Sequence, residues 1–206
     1  VILAEELGRS TFGGFAVTVL VHTDMASPHL FNAGNKEQLN RFMPDIISGK
    51  KITAIAVTEP AAGSDVASIQ TKATQTKGGW ILNGTKMFIT NGIHGDLFFV
   101  AAKTGATSRS YMITMFIVEK GTKGFSNGQK LNKMGWHSSD TAELIFDNCF
   151  VPNENVLGEV NQGFYAIMKN FQNERLVLGA QALGEAQKAI ELTVDYVKER
   201  KAFSSV

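Results

Sequence analysis

Along the first fifty residues apolar positions recur with helical spacing, interrupted by Gly13-Gly14 and by the turn Asn32-Ala33-Gly34-Asn35. The pattern predicts helices over roughly 1–9, 13–24 and 36–47. At Ile52 the periodicity changes. Ile52, Ala54 and Ala56 alternate with Thr53, Ile55 and Val57 in a run apolar on both faces, as in a strand covered on two sides. Ile69–Thr76 is more polar and β-branched. Lys77-Gly78-Gly79 turns it into Trp80–Leu82, and Asn83-Gly84 reads as a two-residue hairpin turn because both residues accept positive φ. Thr85–Thr90 is then the return strand, and Leu97–Lys103, Tyr111–Glu119 and Ala142–Phe150 are further strands. Beyond Pro152 the helical spacing returns. Phe164, Ile167, Met168 and Phe171 fall at i, i+3, i+4 and i+7 on one helix, and Leu183, Ala186, Ile190, Val194 and Val197 form a stripe on a second. About seven short strands between two helical ends predict an α+β chain with a small antiparallel β-barrel or sandwich in the middle.

Composition narrows the function classes. The chain has 206 residues, 44% of them hydrophobic, enough for a full core. Twenty Lys and Arg against nineteen Asp and Glu leave a formal charge of +1, with no basic run, which argues against nucleic acid. The longest apolar stretches, such as Leu97–Ala102, fall far short of a bilayer span, and the chain reads as soluble. One cysteine, Cys149, excludes an internal disulfide and any zinc site built on several thiolates, and no metal is expected. Val1 opens directly into a helical pattern, which reads as a fragment.

Candidate chemistry concentrates between Ala54 and Gly92. The first strand ends in Thr58-Glu59-Pro60, followed by the small-residue loop Ala61-Ala62-Gly63-Ser64-Asp65, where backbone N–H groups and the Ser64 hydroxyl can approach a phosphate closely. Phe88 can lie against the face of a flat ring, with Thr58 and Thr90 at its edge. Taken singly, each has an ordinary structural explanation: a threonine topping a strand, a core phenylalanine, a turn. Three other residues read as packing rather than chemistry: His22 on an apolar helix, His137 beside Trp136 in a loop, and Cys149 at the end of an alternating strand with no adjacent cation.

The joint pattern is more specific. Val57-Thr58-Glu59-Pro60, Ala62-Gly63-Ser64-Asp65, Leu82-Asn83-Gly84-Thr85-Lys86 and Ile89-Thr90-Asn91-Gly92 together resemble the flavin-binding segment of the acyl-CoA dehydrogenase family. Two positions depart from the family's usual pattern. Ala61 stands where Gly is common, which requires a negative φ there, and Phe88 stands where Trp is common, which keeps an aromatic wall but loses the indole N–H. Asn173-Glu174-Arg175-Leu176, with Gly179, Ala182, Leu183, Gly184 and Gln187, resembles the family's first C-terminal-domain helices.

The resemblance implies an antiparallel β-barrel flavin domain over 51–157, preceded by the end of an N-terminal helical domain (1–50) and followed by the start of a C-terminal one (158–206). It implies FAD as cofactor. Ile55, Ala56, Val57 and Thr58 would meet the ring edge, Phe88, Ile89 and Thr90 would flank the ring, and Gly63 and Ser64 would serve the pyrophosphate region. Arg200, Lys201, Ala202 and Phe203 resemble the motif that reaches the flavin of a neighbouring subunit. The substrate would be an acyl-CoA, with Ser64, Thr104 and Arg175 contacting its CoA portion. The implied reaction is α,β-dehydrogenation to a trans-2-enoyl-CoA. A carboxylate in a water-poor pocket is a stronger base, and Glu174, directly before Arg175, occupies the place of the base in the isovaleryl-CoA and long-chain branches. Electron-transfer flavoprotein or a similar acceptor, a homo-oligomer, and a cytoplasmic (bacterial) or mitochondrial-matrix (eukaryotic) location are implied for the complete protein. A non-catalytic fragment or assembly module, or a flavin oxidase on the same scaffold, are the alternatives.

Overall fold

The computed structural model describes residues 1–105 and 112–203, so Tyr111 and Ser204-Ser205-Val206 lie outside the described residues. Four helices open the chain: α1 (Ile2–Gly8), α2 (Gly13–Leu20), α3 (Ser27–Ala33) and α4 (Lys36–Ile47). A π turn at Val21–Ala26 joins α2 to α3, and α3 itself was not foreseen from the spacing. The start of α4 is fixed by a capping box, in which the Gln38 amide donates to Asn35 Oδ1 at 2.8 Å and the Asn35 amide donates to Gln38 Oε1 at 3.0 Å. Gln38 Nε2 also donates to the carbonyls of Glu154 and Val156, tying the helix to the sheet.

Eight strands follow among the described residues: β1 (Thr53–Ala56), β2 (Lys72–Thr76), β3 (Gly79–Thr90), β4 (Leu97–Lys103), β5 (Ile113–Glu119), β6 (Phe125–Lys130), β7 (Thr141–Pro152) and β8 (Val156–Leu157). They form one sheet in the order β6-β7-β3-β2-β4-β5-β8, with β1 parallel to β4. The α+β class is as expected, but the sheet is not a closed antiparallel barrel: β6 and β8 end its hydrogen-bonded path without pairing each other. The two halves join at a single parallel bridge, Lys72↔Lys103. Beyond that bridge they face each other across side chains, with Trp80 edge-on to Phe116 (5.7 Å between centroids) and Phe98 tilted against Phe125 (4.8 Å). Packing between the halves takes the place of edge-to-edge bonding.

That arrangement gives two cores and explains the unbroken apolar runs of β4 and β5. Leu97, Phe99 and Ala101 face the helices with Ile113, Met115 and Ile117, whereas Phe98, Val100, Phe116 and Val118 face Trp80, Leu82 and Phe146. Strands covered on both sides have no polar face to show.

Two local expectations are corrected. Asn83-Gly84 is not a hairpin turn; β3 runs straight through it, and the β2–β3 turn falls at Lys77-Gly78, where Gly78 has φ +82°. Asn83 Oδ1 instead accepts from the Asn148 amide at a bulge of β7, and a Cβ on Gly84 would strike Thr71. The two C-terminal helices are one, α5 (Gly163–Glu199), of 37 residues. It crosses α1 where a Cβ on Gly8 would collide with the Gln181 carbonyl and one on Gly184 with the Glu5 carbonyl. Gly8 and Gly184 are thus points of close backbone approach.

Candidate active site

The site begins with a fault in β3. Along this strand Trp80, Leu82 and Lys86 are buried, in step with the pleat, but the pairing with β7 slips between Lys86 and Ile89 and the phase reverses. Met87 and Phe88 together stand opposite Glu143, one residue more than regular pairing needs. Phe88 takes φ +61° and is 65% exposed, with its ring turned out of the sheet. A bulky residue with positive φ is held there only by its surroundings. One restraint is visible beside it, where the Met87 amide donates to the Thr58 carbonyl at 2.9 Å.

A buried ion pair anchors the same place. Lys86 is fully buried, and its Nζ donates to the Val57 carbonyl at 3.0 Å and to Glu59 Oε1 at 2.7 Å. Glu59 also accepts from the amides of Gln70 and Thr71. Burial pushes the Lys86 ammonium down to about 8 against the opposing pull of Glu59. Burial also pushes the Glu59 carboxyl up, but the Lys86 charge and the hydrogen bonds outweigh it and hold the group below the usual carboxylate range. Residues 57–59 are thereby tied to β3. Sequence reasoning missed this pair, although the period of two already put Lys86 on the face of Trp80 and Leu82.

Above this anchor lies a cavity of about 340 Å³. Val57 and Thr58 line it from the end of β1, with Ile55; Phe88, Ile89 and Thr90 line it from the end of β3. Val21 and Met25 come from α2's π turn, and Phe171, Glu174 and Leu178 from one face of α5. The hydroxyls of Thr58 and Thr90 make no hydrogen bond among the described residues, so both remain for a ligand. An outward aromatic ring between two free hydroxyls fits a flat ring with polar edges, as in the isoalloxazine of FAD. Ile55 and Val57 point their backbone groups to the same side as Thr53, whose amide donates to His22 Nδ1 away from β4. Ala56 points the other way, is fully buried against the inner core and does not line the cavity.

Glu174 sits at the cavity wall with its side chain 14% exposed. Asn170, one turn earlier, donates through Nδ2 to Glu174 Oε1 at 2.7 Å and to the Met25 carbonyl at 2.9 Å. His29 Nε2 lies 3.7 Å from the same Oε1. Both neighbours address Oε1, and Oε2 has no hydrogen bond among the described residues. Neither Asn170 nor His29 stood out in the sequence, because each looks like an ordinary polar residue on a helix.

The remaining expected residues lie elsewhere. Gly63 and Ser64 are exposed on the loop after the Glu59–Ala62 turn and are not at this cavity; Gly63 does not have positive φ, and neither does Ala61. Arg175 is exposed, its guanidinium 5.8 Å from the Phe171 ring centroid. The Thr104 hydroxyl is committed within the protein, donating to Asn161 Oδ1 at 2.7 Å and lying 2.8 Å from Thr114 Oγ1. Arg200, Lys201, Ala202 and Phe203 follow the far end of α5. Arg200 lies 26 positions after Glu174, an axial separation of about 39 Å. They cannot serve the same cavity in one protomer.

Of the residues read as packing, His22 and Cys149 are held within the protein, whereas His137 is exposed. His22 Nδ1 accepts from the Thr53 amide, so Nε2 bears the proton and donates to the Ile46 carbonyl. His137 contacts the Lys133 carbonyl. Burial pushes the Cys149 thiol up to about 11, so it is inert as a nucleophile.

Three family profiles match consecutive parts of the chain: "Acyl-CoA dehydrogenase, N-terminal domain" at residues 1–50, "middle domain" at 54–149 and "C-terminal domain" at 161–206. Isovaleryl-CoA dehydrogenase, mitochondrial, of Solanum tuberosum is 45% identical over 202 residues, which are 98% of this chain and 49% of that protein. Long-chain specific acyl-CoA dehydrogenase, mitochondrial, of Mus musculus is 46% identical over 185 residues, 89% of this chain and 43% of that protein. The structure of butyryl-CoA dehydrogenase from Megasphaera elsdenii superposes with a TM-score of 0.93 at 39% identity, covering 98% of this chain and 53% of that one. The chain therefore spans about half the length of the relatives it matches. Matched end to end by the three domain profiles and superposing on a solved member, it belongs to the acyl-CoA dehydrogenase family.

Proposed function

We propose that this chain is the flavin-binding and base-bearing part of an FAD-dependent acyl-CoA dehydrogenase. Residues 1–50, 51–157 and 158–206 are its share of the N-terminal, middle and C-terminal domains. The observation that carries the reading is the single cavity where Thr58, Phe88 and Thr90 face Glu174.

Val57, Thr58, Phe88, Ile89 and Thr90 hold the flavin ring, Thr58 and Thr90 through hydroxyls and Phe88 through its ring face. FAD, when bound, supplies the acceptor for the β-hydrogen, so that proton and hydride together leave a trans-2-enoyl thioester. Glu174 takes the α-proton on Oε2 while Asn170 holds Oε1. Met25, Phe171 and Leu178 give the cavity an apolar lining beside the carboxylate. Arg175, on the exposed side of Glu174, contacts the CoA portion. Gly63 and Ser64 serve pyrophosphate or pantetheine from their loop, and Thr104 contributes through its backbone carbonyl, its hydroxyl and amide being occupied. Arg200, Lys201, Ala202 and Phe203 reach the flavin of a second subunit, which makes the working protein a homo-oligomer. An electron-transfer flavoprotein reoxidises it, in the cytoplasm of a bacterium or the mitochondrial matrix of a eukaryote. The substrate is a branched or long-chain acyl-CoA, since Glu174 supplies the base.

The test is the visible spectrum of the protein, expressed with its native flanking sequence and loaded with FAD, during anaerobic addition of isovaleryl-CoA or a long-chain acyl-CoA. Bleaching that Glu174→Gln abolishes is expected. Bleaching that survives Glu174→Gln would remove Glu174 as the base.

A further inference from the structure

We propose that His29 is a positioning residue for Glu174, donating from Nε2 to Oε1 when an acyl-CoA occupies the cavity; the inference rests on Glu174 being the base. His29 is 3% exposed, on α3 against α5, and its Nε2 has no hydrogen-bond partner among the described residues. A buried polar nitrogen without a partner is rare and calls for a reason. The acceptor ahead of it is Glu174 Oε1, at 3.7 Å. That separation is outside hydrogen-bonding range by a small margin, and an approach of about 0.8 Å closes it.

The tautomer follows from electrostatics. A bare Nε2 lone pair facing a carboxylate oxygen is repulsive, whereas an Nε2–H facing it is attractive, so the proton belongs on Nε2. While the cavity holds water, Glu174 has competing donors and little draws the two groups together. An acyl chain displaces that water, and the remaining donors then gain weight in a drier site. Asn170 already donates to Oε1 at 2.7 Å. A second donor on that oxygen fixes the carboxylate plane and directs Oε2 at the α-carbon. Held geometry of this kind affects the chemical step rather than substrate affinity.

The experiment compares His29→Phe, which fills the volume without a donor, with His29→Gln, which keeps an N–H donor at similar reach. Both are made in the FAD-loaded protein with its native flanks, alone and with Glu174→Gln. In stopped-flow flavin reduction by isovaleryl-CoA or a long-chain acyl-CoA, His29→Phe is expected to be slower by about tenfold with acyl-CoA affinity within about twofold. His29→Gln is expected to stay within about threefold of the parent, and neither adds to Glu174→Gln. Independently of turnover, ¹⁵N spectra of the His29 ring in the substrate-free protein should show Nε2 protonated. The proposal is overturned if His29→Phe keeps the parent rate while Glu174→Gln abolishes reduction, if Phe and Gln lose rate equally, or if Nε2 is bare. If Glu174→Gln itself keeps the parent rate, the base assignment falls first and the role of His29 falls with it.

Discussion

Lys86 and Glu59 form a fully enclosed ion pair, 2.7 Å from Nζ to Oε1, that ties the middle of β3 to the turn after β1. Removing one partner leaves a buried charge unmatched. Glu59→Gln is therefore expected to destabilise the folded chain by about 3–5 kcal/mol, measured by denaturant unfolding. Adding Lys86→Met to that variant should restore part of the loss. A destabilisation no larger than that of an exposed Glu→Gln control would show that the pair contributes nothing.

The same carboxyl gives a pH dependence of known sign. Its folded pKa lies below the ordinary value of 4.5, so the stabilisation is complete above that value and is lost as pH falls through the lower folded one. The melting temperature of the parent should fall more steeply below pH 4.5 than that of Glu59→Gln. Parallel curves would assign acid unfolding to other carboxylates.

Phe88 stands at φ +61°, where only glycine is comfortable. Phe88→Gly is expected to leave the substrate-free protein more stable than Phe88→Ala by about 1–2 kcal/mol, because alanine keeps the left-handed penalty. Both should weaken FAD binding at least tenfold by removing the ring, as read by flavin titration. Unchanged FAD affinity in either variant would show that the ring does not face the flavin.

How much of this was legible depends on range. The stripe through Ile167 and Phe171 defines α5's inner face locally, and the Thr58 and Thr90 blocks could be placed at strand ends. What escaped was set by distant partners. Asn83-Gly84 has the chemistry of a tight turn, but β3 continues through it, and Asn83 caps a bulge 65 residues away. Closure of the sheet depended on whether its halves bond or pack, which strand patterns alone leave open. His29 acquires meaning only because α3 meets α5, and no spacing along the chain announces that.

At the α1–α5 crossing, Gly184→Ala should force the helices apart, since its Cβ has no room against the Glu5 carbonyl. We expect a loss of about 1–3 kcal/mol despite alanine's better helix propensity, whereas Gly179→Ala, with nothing within 4 Å, should be neutral or stabilising. Equal effects at the two positions in thermal melts would place the crossing elsewhere.

The continuity of α5 turns sequence length into angular phase. Glu174, about three turns into α5, and Arg200, just beyond its far end, are joined by one uninterrupted rod. Each residue inserted or deleted between Gly184 and Glu199 would turn the Arg200 cluster by about 100° and shift it by about 1.5 Å, leaving Glu174 where it is. Changes of three or four residues come closest to a whole turn and would return the cluster nearly to its original bearing. Under the proposed function the helix works as a timing shaft between two sites, intolerant of a change in count.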